Sequence, residues 1–300
     1  MQEFDAIIVG GSYAGLSAAM TLGRSRRRTL VLDTGRPCNR QTPHAHNFLT
    51  QDGATPAALR AQAIEQVRQY PTVEFRPDEA VSAAPTEGGF LIQTAAGDTV
   101  KAQKVILATG VTDLLPPLPG FAECWGISVL HCPYCHGYEV ADQRIGVFGN
   151  GDGGFEFTRL IRQWSRQLTL FTNGPATLTD AQQQALARHH IAVVETPITG
   201  LLHAQGYLSA VQLAAGPAHP LDAVFTRVPF RLPGTLTQQL GCALTEMGHV
   251  QVDDSQRTSV PGVYAAGDIT TPMRALSTAV AAGSKAAVIL NKELIEEHFN

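Results

Sequence analysis

The stretch FDAIIVGGSYAGL, residues 4–16, decides the fold class. It joins an apolar run, typical of a strand buried on both faces, to a glycine-rich turn and a helical stretch. The next strand, TLVLD, ends at Asp33. In a β-α-β unit of this kind, glycines let the backbone approach a pyrophosphate at a helix N-terminus, and an acid about 20 residues further on binds ribose hydroxyls. Ser12 takes the place of the middle glycine of G-x-G-x-x-G, so this stretch alone is a weak signal.

The same pattern returns in RIGVFGNGDGGFEF, residues 144–157. A strand is followed by the complete fingerprint of Gly149, Gly151 and Gly154, then by a helix and the strand QLTLF. Two dinucleotide folds in one chain are a far more specific signal than one. The ribose-binding acid is replaced here by FTNG, in which Asn173 offers a single uncharged hydrogen bond. The second repeat therefore has no charged side chain at this place to bind the ribose of NAD or the 2′-phosphate of NADP.

The rest of the chain fits an inserted domain. Residues 90–110 predict two strand-like runs around an Ala-Gly-Asp turn and then an apolar strand ending at Ala108-Thr109-Gly110. Prolines interrupt regular structure at residues 116–119 and again in VPFRLPG, residues 228–234. Residues 259–294 predict a strand, a glycine turn and a long helix of small residues. We therefore predict an α/β protein with two Rossmann-like, three-layer (ββα) dinucleotide-binding domains, the second inserted into the first.

Composition excludes several classes of protein. The formal net charge is -4, which gives no reason to expect a nucleic acid or an anionic membrane as partner. The N-terminus, MQEFDAIIVGG, lacks the basic region and cleavage site of a secretory signal, so we expect a cytoplasmic protein. No apolar run approaches the roughly 18 to 20 residues needed to span a bilayer.

Five cysteines, in a chain without an export signal, argue against a structural disulfide framework. Only Cys132 and Cys135 have a spacing with chemical meaning, in HCPYCHGYEV, residues 131–140. A C-x-x-C-H motif fits three chemistries: a redox-active pair, half of a zinc site, and the attachment site of a c-type haem.

Several motifs together resemble the low-molecular-weight thioredoxin reductase family. These are GGSYAGL near the start, ATG ending at residue 110, a C-x-x-C just before the second G-x-G-x-x-G, and GVYAAGD near the end. The resemblance covers nearly the whole chain and keeps the order of the motifs. It implies a homodimer with a discontinuous FAD-binding domain, residues 1–115 and 233–300. The inserted NAD(P)-binding-like domain, residues 116–232, would carry the cysteines.

The resemblance also implies which residues bind FAD. By position, Gly10, Gly11 and Gly15 would hold the pyrophosphate and Asp33 the adenosine ribose. The remaining positions are Asn47 for the flavin, the Val81 backbone near the adenine, Thr109 and Gly110 in the second FAD motif, Asp268 for the ribityl or phosphate region, and Ala275 near the isoalloxazine ring. An ordinary polar surface loop is the alternative for Asn47.

For the C-x-x-C we favour a redox disulfide. Haem attachment normally requires export, and zinc normally needs a second ligand pair, which the sequence does not show, so we expect no metal. By the family pattern, Cys135 would face the flavin and Cys132 would exchange with substrate. His136 stands where the family has an aspartate; an imidazole, with an ordinary pKa of about 6.5, can accept a thiol proton or stabilise a thiolate. A purely structural, hydrogen-bonded histidine is the alternative.

The chain departs from the NADPH-dependent members of the family at two places. FTNG and FRLPGT stand where those members have a basic cluster and a G-x-x-P-N loop. Without a bidentate arginine contact, the principal discrimination for NADP is lost. Gly149, Gly151 and Gly154 then either form a vestigial site that shapes the fold, or accept NADH or another dinucleotide weakly. We therefore do not expect conventional NADPH use.

These features predict a FAD-dependent thiol/disulfide oxidoreductase. CPYCHG is similar to a divergent branch that includes small-molecule dithiol oxidases and pyridine-nucleotide-independent thioredoxin reductases. An oxidase would pass electrons from a dithiol through the cysteines and FAD to oxygen. A reductase would take them from ferredoxin or a nicotinamide donor and reduce a thioredoxin-like protein or a small disulfide. The alternatives are a conventional NAD(P)H-dependent thioredoxin reductase and, from another class, a non-catalytic flavin-binding redox sensor.

Overall fold

The computed structural model describes residues 1–299. The strands are β1 (Gln2–Val9), β2 (Thr29–Leu32), β3 (Val73–Arg76), β4 (Ala80–Thr86), β5 (Gly89–Thr94), β6 (Thr99–Leu107), β7 (Thr112–Asp113), β8 (Val129–Leu130), β9 (Ile145–Phe148), β10 (Leu168–Phe171), β11 (Ala192–Val194), β12 (Ile198–Ala204), β13 (Tyr207–Leu213), β14 (His219–Pro220), β15 (Ala223–Thr226), β16 (Phe230–Arg231) and β17 (Val263–Ala265). The helices are α1 (Tyr13–Arg24), α2 (Pro56–Arg68), α3 (Phe121–Cys124), α4 (Pro133–His136), α5 (Gly151–Ile161), α6 (Asp180–Arg188), α7 (Leu236–Gln239) and α8 (Leu276–Phe299).

The chain divides into two compact units. Unit 1 comprises Met1–Arg40, Pro56–Thr112 and the segment from Phe230 onwards, and unit 2 comprises Gln41–Thr55 and Asp113–Pro229. Unit 1 contains a sheet in the order β3-β2-β1-β6-β5-β4, with β17 also paired to β6. β4 and β5 are antiparallel to their neighbours, and the other pairs of this sheet are parallel.

Unit 2 is built on a second parallel sheet, in the order β11-β10-β9-β15-β8. A separate antiparallel sheet, β12-β13-β14, belongs to the same unit. β7 and β16 pair with each other. Two sheets of parallel strands alternating with helices confirm the α/β class predicted from the sequence.

Apolar strand sequences explain why both sheets are buried. Four central strands, β2, β10, β15 and the second half of β1, are buried at every residue, as expected for parallel strands covered on both faces. The core of unit 1 includes Ile7, Leu30, Ile92, Val105 and Leu107. The cores of unit 2 lie on the two faces of its parallel sheet and include Ile145, Val147, Leu170, Val211 and Val224.

The register of unit 1 brings several strand ends to one edge. Val9 is paired with Leu32 and Leu107, and Leu107 is paired with Ala265. Because these strands are parallel, the residues that follow each of them meet at the same carboxyl edge of the sheet. That edge is where an open α/β sheet usually binds its ligand.

The small residues of α8 let it approach α1 closely. A Cβ built on Gly283 would lie 2.0 Å from the carbonyl oxygen of Ala14, and the Ser17 hydroxyl donates to the Val280 carbonyl at 2.7 Å. The run of alanine and glycine is therefore explained by contact with another backbone. Among residues 1–299, no helix, α8 included, is both long and apolar enough to cross a membrane.

Gly283→Ala tests this contact. We expect it to lower the free energy of unfolding by about 1–3 kcal/mol, because the new methyl group forces the two helices apart. Gly153→Ala in α5 is the matched control: its Cβ meets nothing within 4 Å, so it should be neutral or stabilise by roughly 0.5–1 kcal/mol. Urea unfolding of both variants measures the difference, and equal stability of the two would contradict the close packing.

Candidate active site

The first glycine fingerprint forms a tight turn at the carboxyl edge of the unit 1 sheet. Gly10 has a φ of +106°, and a Cβ there would lie 2.2 Å from the Ala108 carbonyl oxygen. A Cβ on Gly15 would lie only 1.8 Å from the Gly10 carbonyl oxygen. Glycine is therefore required at both positions for α1 to begin directly above the end of β1. Ser12, the N-cap of α1, makes no side-chain capping hydrogen bond.

Asp33 lies beside this turn. Its Oδ1 accepts a hydrogen bond from the Gly11 N–H at 3.0 Å, and its Oδ2 forms an ion pair with Arg60 on α2. A dinucleotide site requires an uncapped helix N-terminus for the pyrophosphate, glycines where no side chain fits, and an adjacent carboxylate for the ribose hydroxyls. The residues of this edge therefore fit a dinucleotide cofactor such as FAD.

Other predicted cofactor residues lie in the same unit. Thr109 and Gly110 lie two and three residues after the end of β6, and Gly110 has a φ of +65°. Asp268 follows β17, with the Arg274 guanidinium 3.6 Å away and the Cys38 thiol donating to it at 3.7 Å. Ala275 immediately precedes α8. Val81 lies on β4 at an irregularity of the β4–β5 pairing and is exposed.

Asn47 differs from the other predicted cofactor residues, because its segment, Gln41–Thr55, belongs to unit 2. It adopts a positive φ of 59°, and its N–H donates to Asp52 Oδ1 at 2.7 Å. The Asn47 backbone thus shapes a turn of this loop. Its flavin contact stays a prediction.

The C-x-x-C motif forms a disulfide in unit 2. Cys132 is the N-cap of α4, Pro133 begins the helix, and the Cα atoms of Cys132 and Cys135 are 5.3 Å apart. Both cysteines are half-buried. Within residues 1–299, no group of three or more His, Cys, Asp and Glu side chains is arranged to hold a metal ion.

Trp164 supports the short helix that carries the disulfide. A Cβ on Gly137 would lie 2.7 Å from Trp164 Cδ1 and 2.4 Å from the Pro133 carbonyl oxygen. The Tyr134 ring packs edge-on against the Trp164 ring with centroids 5.4 Å apart. Glycine after His136 is therefore a packing requirement, since a larger residue would push α4 off the indole.

His136 ends α4, one residue after Cys135. Burial lowers the pKa of His136 below its ordinary value; the Glu139 carboxylate opposes this shift, and His46 adds to it. A lowered pKa leaves the imidazole unprotonated at neutral pH, which is the form that accepts a thiol proton. His136 is thus one residue from Cys135 in the form that can act as a base, and its catalytic role stays a prediction.

Three residues near these sites were missed in the sequence. Arg60 pairs with Asp33, while His46 lies 3.4 Å from Glu139, counting from Nε2 to Oε1. Each contact joins segments far apart in the chain. Glu139 follows the C-x-x-C motif closely enough to have been considered, but nothing in the sequence pairs it with residue 46.

In the second fingerprint, Asn150 is hydrogen-bonded to the start of α5 and to the loop that follows β10. Asn150 Oδ1 accepts hydrogen bonds from the N–H groups of Gly151 and Thr177, both at 2.8 Å, and its Nδ2 donates to the Pro175 carbonyl at 2.9 Å. A Cβ on Gly151 would lie 2.9 Å from Thr177 Oγ1. Asn173 Oδ1 accepts from the Ile198 N–H at 2.8 Å. The residues that would meet a nucleotide are thus bonded to each other or to neighbouring backbone.

Comparison with known proteins gives consistent matches over the whole chain. Residues 4–286 match the pyridine nucleotide-disulphide oxidoreductase family. Thioredoxin reductase sirT of Leptosphaeria maculans is 34% identical, and the match covers 94% of this chain and 92% of that protein. A putative thioredoxin reductase TrxB from Bacillus anthracis superposes with a TM-score of 0.94 at 32% identity, covering 98% and 99% of the two chains. An oxidoreductase from Agrobacterium tumefaciens gives 0.92 at 36% identity, with the same coverage.

These matches confirm two predictions made from the sequence. The fold is that of the thioredoxin reductase structures, with two Rossmann-like domains. The resemblance to low-molecular-weight thioredoxin reductases holds over nearly the full length of the chain and of its relatives. The chain therefore belongs to the pyridine nucleotide-disulphide oxidoreductase family and is a thioredoxin reductase-like flavoprotein disulfide oxidoreductase.

Proposed function

We propose that this enzyme passes electron pairs between the Cys132–Cys135 disulfide and FAD without conventional use of NADPH. The observation that carries the proposal is the difference between its two glycine fingerprints. The N-terminus of α1 has no side-chain cap, whereas the N-terminus of α5 is capped by Asn150 and bonded to the loop that contains Thr177. One fingerprint fits a dinucleotide, and the N-cap of the other is bonded to a neighbouring loop.

FAD would bind at the carboxyl edge of the unit 1 sheet. The tight turn formed by Gly10, Gly11 and Gly15 would present the start of α1 to its pyrophosphate, and Asp33, beside that turn, would accept hydrogen bonds from the adenosine ribose. We assign the remaining contacts to Asn47, Val81, Thr109, Gly110, Asp268 and Ala275. When bound, FAD supplies or accepts the electron pair.

Cys132, Cys135 and His136 would carry out a thiol–disulfide exchange with the substrate. In the oxidising direction, His136 takes the proton of a substrate thiol, and the thiolate attacks Cys132 Sγ. The Cys132–Cys135 bond breaks, and Cys135 leaves as a thiolate. The second substrate thiol, on losing its proton, then displaces Cys132 from the mixed disulfide. The substrate loses two electrons and two protons, and the cysteine pair gains the two electrons. The reducing direction is the same sequence reversed.

Two classes of substrate fit this chemistry, a dithiol and a disulfide. A small-molecule dithiol would make the enzyme an oxidase, with oxygen as the final acceptor. A thioredoxin-like protein or a small disulfide would make it a reductase, with ferredoxin or another donor. Relatives named thioredoxin reductases support a disulfide substrate. The cap of α5 argues against NADPH in either direction, because Asn150 already engages the N–H of Gly151 and ties the start of the helix to Thr177.

Asp33→Asn tests the cofactor site. We expect the dissociation constant for FAD to rise about 10- to 100-fold, since a hydrogen bond to a charged group contributes about 1.5–3 kcal/mol. Quenching of flavin fluorescence on binding to the apoprotein measures the constant. Asp152→Asn, in the first turn of α5, is the matched control and should bind FAD normally. Equal affinity of the two variants would contradict the assignment of the cofactor to unit 1.

Cys135→Ser tests the path of the electrons. FAD should stay bound, but anaerobic reduction of the flavin by dithiothreitol should be lost, because no disulfide remains to accept the thiolate. Cys242→Ser removes a thiol outside the pair whose hydrogen bond to the Thr258 hydroxyl a serine can keep, and it should retain the rate of the unaltered enzyme. Flavin absorbance in a stopped-flow instrument records both. Full flavin reduction in Cys135→Ser would disprove the proposed role of the disulfide.

A further inference from the structure

The loop of residues 41–55 holds a second histidine against the disulfide helix. Ala45 and Ala54 form an antiparallel bridge: the Ala45 N–H donates to the Ala54 carbonyl at 2.8 Å, and the Gly53 N–H donates to the Ala45 carbonyl at 2.9 Å. Both bonds join Ala45, the residue before His46, to the far end of the loop. The His46 side chain is only 21% exposed, so its position is fixed by the loop and by its neighbours.

His46 lies between two carboxylates. Its Nδ1 is 3.6 Å from Asp52 Oδ2, and its Nε2 is 3.4 Å from Glu139 Oε1. Asp52 is itself oriented by the Asn47 N–H, which donates to its other oxygen at 2.7 Å. Each ring nitrogen of His46 thus faces a carboxylate.

His136 lies next to His46. The rings of His46 and His136 are nearly perpendicular, with centroids 6.4 Å apart, which is too far for a hydrogen bond between the rings. Their influence on each other is therefore electrostatic, and Glu139 acts on both. The remaining titratable neighbours are Asp52 and His44, whose ring centroid is 6.3 Å from that of His46.

We propose that His46 and Glu139 are positioning residues that control when His136 holds a proton during thiol–disulfide exchange. The inference deepens the proposed function and rests on it. After His136 accepts a thiol proton, the Glu139 carboxylate stabilises the resulting imidazolium. The His46 ring lies against the same carboxylate and opposes that imidazolium. The two residues therefore act in opposite directions on one base.

An NMR titration of the oxidised protein, with histidine labelled on its ring, tests the proposal without turnover. His46→Gln should raise the pKa of His136, because a repelling charge is removed, and Glu139→Gln should lower it, because an attracting charge is removed. His44→Gln is the matched control: His44 is exposed and bonds to the Gly53 carbonyl, so the pKa of His136 should not move. A pKa that stays unchanged in both His46→Gln and Glu139→Gln would overturn the proposal.

The pH dependence of anaerobic flavin reduction by dithiothreitol gives the functional readout. The limb of the profile that reports His136 should shift to higher pH in His46→Gln and to lower pH in Glu139→Gln. A merely structural role would lower the rate of both variants without moving the limb, and this result would overturn the proposal. If the unaltered enzyme is not reduced by dithiothreitol at any pH, the proposed function itself fails.

Discussion

The contact between α4 and Trp164 is the constraint on which the chemistry of this enzyme depends. A helix of one turn makes few hydrogen bonds of its own, so its place must come from tertiary packing. Gly137 touches the indole so closely that no side chain fits there, and Tyr134 packs edge-on against the same ring. This contact fixes the position of α4, which has Cys132 as its N-cap and ends with Cys135 and His136.

Two copies of one sequence motif have different outcomes in this chain. At α1 the N-cap is Ser12, whose side chain makes no capping bond, and a carboxylate lies alongside. At α5 the N-cap is Asn150, and its amide bonds to three neighbouring backbone groups. A glycine fingerprint therefore predicts the strand-turn-helix geometry, whereas the occupancy of the helix N-terminus depends on a residue between the glycines and on a loop that reaches it.

Much of the fold follows from local pattern. Buried strands were visible as apolar runs, and Asp33 and Gly10 fall at the sheet edge because each directly follows a parallel strand. The two strand-like runs around the Ala-Gly-Asp turn were predicted, and they pair antiparallel as β5 and β6, while the apolar strand expected after them is the second half of β6. The disulfide could be predicted from the spacing of its cysteines together with the order of the surrounding motifs.

The contacts that modify these sites could not be predicted in this way. Arg60 meets Asp33, and His46 meets Glu139, across long stretches of chain. Nothing in the periodicity of α2 or of the loop at 41–55 specifies these partners. Closure of the second fingerprint was equally hidden, since it depends on how the loop carrying Thr177 folds back over Asn150.

Electron transfer between the cysteine pair and FAD without NADPH can be tested by anaerobic titration of the FAD-loaded enzyme with NADPH, with NADH and with dithiothreitol, each followed by the absorbance of oxidised flavin. We expect stoichiometric bleaching by dithiothreitol and an unchanged spectrum with either nicotinamide at the same number of equivalents. Rapid stoichiometric bleaching by NADPH would contradict this expectation and would identify the protein as a conventional thioredoxin reductase whose second fingerprint opens to admit the nucleotide.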